Sequence, residues 1–253
     1  MGQFFAKDWS GAPFIILGGP HLVVIGLILL VNLSIYYFRK RFTPRARNIF
    51  RWTLAIILVV DEIGWHVWHI AIGQWTVQTM LPLHLCSVLV FVSAYMLISR
   101  SYGVYELCYL MGLGAAIQAV MTPDLGLYGY PHFRFFQTFL SHGSIMTAAF
   151  YMTVVEGYRP YWKSLLRVAV GLNLYMLVVF GINTLVGGNY MFIMHKPETP
   201  SLIDVLGPWP WYILSLEGVG LLVCLLLYLP FALKDWGASK SKTFKKTESP
   251  AGQ

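Results

Sequence analysis

The stretch Arg39-Lys40-Arg41-Phe42-Thr43-Pro44-Arg45-Ala46-Arg47 packs five cations into nine residues and separates two long apolar runs, 14–38 and 48–70. A bilayer core of about 30 Å takes roughly 20 apolar residues per helix, so each flanking run is long enough to cross. Working outward, five more runs of this kind follow at 81–99, 103–122, 134–156, 163–186 and 211–233. Each has to be helical, because hydrocarbon offers no water to an unpaired backbone N–H or C=O. The sequence therefore predicts an all-α polytopic membrane protein with seven transmembrane helices over residues 1–236. A basic stretch, 237–253, is expected to be a disordered cytoplasmic tail.

Orientation follows from the remaining cations. Arg39, Lys40, Arg41, Arg45, Arg47, Arg51, Arg100, Arg159, Lys163, Arg167, Lys234, Lys240, Lys242, Lys245 and Lys246 fall on one side of a seven-span chain, and only Lys7, Arg134 and Lys196 on the other. The positive-inside rule turns this 15 to 3 split into an extracytoplasmic N-terminus and a cytoplasmic C-terminus, in a multi-pass cell-membrane protein. The 57% hydrophobic and 11% charged composition excludes an ordinary soluble domain. The cations are topology signals, so nucleic acid is not an expected partner and membrane lipids are. Oligomeric state is not readable. The first apolar run lacks a basic n-region with a small-residue cleavage site, and is read as a retained span. Cys86, Cys108 and Cys224 all lie within apolar runs, which supports neither a disulfide framework nor a paired Cys-x-x-Cys site.

Ionisable groups inside spans are expensive and suggest function. They gather toward the extracytoplasmic ends: Asp61, Glu62, His66 and His69 in the second run, His84 and Cys86 in the third, Gln118 in the fourth, Ser141 and His142 in the fifth, Asn183 and Asn189 at the end of the sixth, and Glu217 in the seventh. Among the cytoplasmic halves, only Asn173 is comparable. One cavity open to the outer leaflet is expected. At 100° per residue Glu62, His66 and His69 share a face. Asp61 and Glu62 are expected to pair with His66 and His69, with a proton relay as the rival role. His21 and His132 lie near interfaces and are read as solvated. Gly112-x-x-x-Ala116 reads as a site of close helix packing.

Cys86 is a candidate nucleophile with His142 as its base; the plainer reading is that a buried cysteine packs, which is the only one given to Cys108 and Cys224. His66, His69, His84, His142 and Glu62 would suit zinc or iron, but no short ligand motif is present, and no metal or cofactor is assigned. No span has a central lysine, which excludes a retinal Schiff base.

Leu81-Pro82-Leu83-His84-Leu85-Cys86-Ser87, Ser141-His142-Gly143, and Asn183 through Gly187-Gly188-Asn189-Tyr190-Met191 to Lys196-Pro197 resemble the motifs of the bacterial YwaF family of integral membrane proteins. That family is similar to animal transmembrane protein 164, a cysteine-dependent acyltransferase acting on phospholipids. The resemblance implies that Cys86 is the nucleophile and His142 the histidine of the site. Asn183 or His84 is the candidate oxyanion donor. Three readings follow: a lipid acyltransferase or ester hydrolase; a transporter or binding protein for a small solute, proton or metal; and an extracytoplasmic receptor or sensor.

Overall fold

The computed structural model describes residues 2–197 and 202–247. Seven long helical rods fall on the seven apolar runs: α1 Gly19–Phe38, α2 Pro44–Ala71, α3 Leu85–Ser99, α4 Tyr102–Met121, α5 Phe133–Val154, α6 Trp162–Val186 and α7 Trp211–Thr247. Among the described residues there is no strand. Local chemistry sets the boundaries. The Thr43 hydroxyl accepts from Ala46 N at 3.2 Å and Pro44 occupies the first turn of α2, where its missing N–H costs nothing. Gly187 closes α6 at φ 68°, a left-handed conformation that glycine adopts without penalty. The α7 backbone stays helical to Thr247, through part of the stretch expected to be disordered. Residues 248–253 lie outside the described residues.

Five of these helices are long and apolar enough to cross a membrane: Gly19–Arg41, Pro44–Ala71, Tyr102–Met121, Trp162–Val186 and Trp211–Gly237. Of the other two, α3 is apolar but only 15 residues long, with Phe91, Tyr95 and Ile98 exposed, and α5 forms the interior of the bundle. α5 packs against α1, α2, α3 and α4, and buries Gln137, Thr138, Ser141, Ser144 and Thr147 along with its apolar residues. A helix enclosed by other helices can carry such groups, because its surroundings are protein and not lipid.

The interior register can be read from pairs. Ser93 of α3 meets Cys108 of α4 at 3.6 Å, and Thr153 of α5 meets Tyr105 of α4 at 2.9 Å. At Gly112 an added Cβ would lie 3.4 Å from both Leu89 of α3 and Ile145 of α5. Moving along α4 from 105 to 112 thus runs backward along both neighbours, so α3 and α5 are parallel to each other, with Leu89 and Ile145 level. The close packing expected around Gly112-x-x-x-Ala116 is present: a Cβ on Gly114, between the two, would meet Val223 of α7 at 2.7 Å. Around Gly112 the helix widens to a π turn, Cys108–Gly112, a local irregularity common at functional sites.

Candidate functional site

The bundle has a basic end, holding Arg39, Arg100 and Arg159, and an opposite end where α2 finishes and α3 and α5 begin. Nearly all the candidates lie toward the opposite end. Cys86 is the second residue of α3, and no side chain caps that helix, so the first-turn N–H groups have no such acceptor. His142 lies three residues before Ile145, as Cys86 does before Leu89. On parallel helices this sets the two residues at similar heights, each about 4.5 Å nearer the opposite end than the Gly112 contact by the ~1.5 Å rise per residue. Both are surrounded by protein yet retain accessible surface, as do all residues from Leu81 to Val88. Among the described residues no hydrogen bond joins the Cys86 sulfur to the His142 ring.

Hydrogen bonds fix the histidine tautomers. His142 Nδ1 lies 2.7 Å from the Thr138 carbonyl, which can only accept, so Nδ1 carries the hydrogen and Nε2 of the neutral ring is left as an acceptor. His84 is the reverse. Its Nδ1 accepts from Met191 N at 3.3 Å, leaving Nε2–H as a donor two residues before Cys86. His66 resembles His84: Nδ1 accepts from Trp75 Nε1 at 2.9 Å, and Nε2 lies 3.6 Å from Glu62 Oε1. Glu62 is buried, faces Ser87 and acts electrostatically on Cys86.

The expected pairing of two acids with two histidines is half realised. Asp61 instead accepts from Gln137 Nε2 at 3.1 Å. His69 turns to the Trp65 carbonyl at 3.1 Å, wedged between the Trp65 and Trp68 rings. Four other candidates stand apart. Gln118 is exposed on α4, and among the described residues its side chain bonds only to Thr122 at the end of the same helix. Asn183 is buried, with both halves of its amide spent on Tyr190: Nδ2 donates to the carbonyl at 3.0 Å and Oδ1 accepts from N–H at 2.8 Å. Asn189 ties Met194 and His195. Glu217 has no hydrogen-bond or ion-pair partner among the described residues. The Asn pair therefore builds a loop. Tyr190 in turn accepts from Leu81 N at 2.8 Å and donates to Val77 O at 2.7 Å, which pins the lead-in to α3.

His21 and His132 are corrections: both are buried, not solvated. His21 spans Leu17 N at 2.9 Å and Val120 O at 2.8 Å; His132 spans Arg134 N at 3.1 Å and Ala6 O at 3.0 Å. Backbone groups satisfy both ring nitrogens in each case. Burial lowers the His132 pKa, consistent with a neutral ring that accepts on one nitrogen.

Two features escaped the sequence. Arg134, counted there only as a topology signal, lays its guanidinium 3.8 Å over the Trp65 ring, donates to Gln137 Oε1 at 2.6 Å and so reaches Asp61. At the basic end, Glu106 is buried beneath Ser164 and Arg167, so the halves that the sequence reads as cytoplasmic are not bare of ionisable groups. Both signals were single charges near run ends, which an apolar-run reading assigns to loops. Among the described residues no three His, Cys, Asp or Glu side chains gather closely enough to hold a metal.

A family model described as the TMEM164 family matches residues 12–228, all of the bundle from before α1 into α7. The chain belongs to the TMEM164 family. Searches of curated proteins and of solved structures return no match. The family match is compatible with the YwaF-like motifs, and it places Cys86, His142 and every other candidate of this TMEM164-family chain inside the matched region.

Proposed function

We propose that this TMEM164-family protein is an acyl-transferring membrane enzyme in which Cys86 attacks a lipid ester and His142 carries the proton. The observation that carries the reading is the His142 Nδ1 bond to Thr138, which leaves Nε2 as an acceptor on a helix that is parallel and adjacent to that of Cys86. In the reaction, the Cys86 thiol gives its proton to His142 Nε2 as sulfur bonds to the ester carbonyl carbon. A thiol is a far weaker nucleophile than its thiolate, so proton loss accompanies attack. The tetrahedral oxyanion is met by first-turn N–H groups of α3 and by His84 Nε2–H. Asn183 is replaced in that role, because its amide is already committed to Tyr190. Collapse breaks the ester C–O bond, and His142 returns its proton to the departing alcohol, leaving a thioester on Cys86. A lysolipid hydroxyl completes acyl transfer, or water completes hydrolysis.

The topology belongs to the same proposal. All seven helices cross, the basic end faces the cytoplasm under the 15 to 3 cation split, and the N-terminus is extracytoplasmic. α3 is only 15 residues long, and the accessible segment 81–84 ahead of it opens the site to the outer leaflet. The test is to incubate the purified chain with an activated phospholipid ester and measure intact mass. A hydroxylamine-sensitive acyl adduct lost in Cys86→Ala is expected; full lipid turnover by Cys86→Ala would remove the reading.

A further inference from the structure

One side of α6 packs against α4, α7 and the 190–192 turn. Its other side turns outward, with Leu166, Val170, Leu174, Leu177 and Val178 each more than half exposed. Asn173 stands exposed among them, one residue before the middle of a helix that is long and apolar enough to cross a membrane. An amide is out of place there, because hydrocarbon offers it no hydrogen bond. Among the described residues its side chain makes one bond, from Nδ2 to the Ala169 carbonyl at 3.0 Å, one turn back on its own helix. Oδ1 accepts nothing, and the second Nδ2 hydrogen is unspent.

Two other polar side chains show how the molecule treats such groups elsewhere. Tyr175, two residues further along α6, is turned inward and donates to the Leu83 carbonyl at 2.9 Å. Asn32 of α1 makes the same one-turn-back bond, Nδ2 to Ile28 O at 2.8 Å, and then reaches the Thr147 hydroxyl of α5 at 3.2 Å. Asn173 has the first of these contacts without the second. What it lacks is another helix at its own depth.

We propose that the outward face of α6 around Asn173 docks on the same face of a second copy of this chain, with the two Asn173 amides hydrogen-bonded across the contact. Self-complementarity singles out a second copy. A carboxamide both donates and accepts, and a two-fold axis along the membrane normal brings one face of both copies together with equal residues at equal depth. An unrelated helix would have to carry its polar group at that level by coincidence. Ala169, small and exposed one turn away on the same face, lets the two backbones approach closely. The inference is independent of the acyl-transfer reading, because Asn173 touches none of the groups around Cys86.

The test uses the full chain, labelled with donor or acceptor dye at its N-terminal amine and reconstituted in phosphatidylcholine vesicles. Energy transfer between copies is followed as lipid is added to dilute the protein. Wild type is expected to follow a monomer–dimer curve. Asn173→Leu should weaken association by about three- to thirtyfold, the range for an interhelical side-chain hydrogen bond in a membrane. Ala169→Phe should weaken it at least as much by holding the backbones apart, and it keeps the test decisive if the first variant fails to fold. Gly26→Phe, on the outward side of α1 where an added Cβ meets nothing within 4 Å, should leave the curve unchanged. Oxidation with copper phenanthroline should link Asn173→Cys into a dimer, and wild type, none of whose three cysteines is exposed, should stay unlinked. Transfer no greater than chance co-localisation in wild type overturns the proposal. So does a curve unmoved by Asn173→Leu, or one that Gly26→Phe shifts as far as Ala169→Phe does.

Discussion

The two ends of the bundle both hold buried or half-buried charge, and they treat it in opposite ways. At the basic end, acid meets base: Glu106 is enclosed by Ser164 and Arg167, Glu156 lies 3.9 Å from Arg51 and accepts from Tyr151, and Asp235 takes a two-pronged bond from Arg159. At the opposite end bonding capacity is left over. Among the described residues, Glu62 Oε1, whose one ion-pair neighbour is the His66 ring at 3.6 Å, and Thr138 Oγ1 are buried without a hydrogen bond, His142 Nε2 and the Cys86 sulfur have none, and Arg134 lacks an ion pair. Buried polar groups normally find partners, so an end where several do not is the end prepared for something else to supply them. The separation is not perfect, since Arg51 Nη1 and Arg159 Nε are also unpartnered at the basic end. The contrast is nonetheless between ion pairs that hold helices together and groups kept ready to react or bind.

If the contrast is correct, changes at one end should alter chemistry and changes at the other stability. The largest effect is expected at His142. Its replacement by alanine should lower acyl turnover by about 10²–10⁴, the usual worth of a positioned acid-base group, with little change in melting temperature in detergent. A large fall in melting temperature with turnover per folded molecule intact would put His142 among the structural histidines, with His21 and His132. Next comes Glu106→Ala, which strips a buried carboxylate from Ser164 and Arg167 and should destabilise the chain by about 2–3 kcal/mol. Turnover normalised to folded protein should not move, and a loss of activity equal to that of His142→Ala would erase the distinction between the ends.

Asn183→Ala sharpens the comparison at the border of the site. Two buried hydrogen bonds to Tyr190 disappear, at a cost of about 1–3 kcal/mol, and hydrogen exchange should quicken across 187–195 and 77–84 before anywhere else. Uniform exchange across the chain would show that the loop is not held by this residue. The smallest effect is expected for Asp235→Asn. That side chain is half exposed, and surface ion pairs contribute little and are screened by salt, so thermal scans at physiological ionic strength should not resolve the variant from wild type.

Much of the architecture was legible because hydrocarbon imposes a length and a hydrogen-bonding rule on each segment. Arg39 through Arg47 mark a turn between two rods, although the second starts at Pro44, before the 48–70 apolar run itself begins. The failures have a common form. Gln118 has the right depth but the wrong face, and Asn183 has the right face but a backbone partner seven residues on. His21 and His132 were judged by distance from the run ends, whereas the segments that meet them, the end of α4 and the N-terminal residues, are remote in sequence.

Composition, run length and cation placement by themselves determined that this is a bundle of apolar helices, which segments form it, and which residues were worth locating, since these depend only on each segment's exchange of water for hydrocarbon. Which polar groups find partners is a matter of three-dimensional register. Only packing around Gly112 made Cys86 and His142 level, and only the Thr138 carbonyl chose the His142 tautomer. Arg134 became more than a topology signal once Trp65, Gln137 and Asp124 were folded around it, because a charge acquires its role from the neighbours that solvate it in place of water.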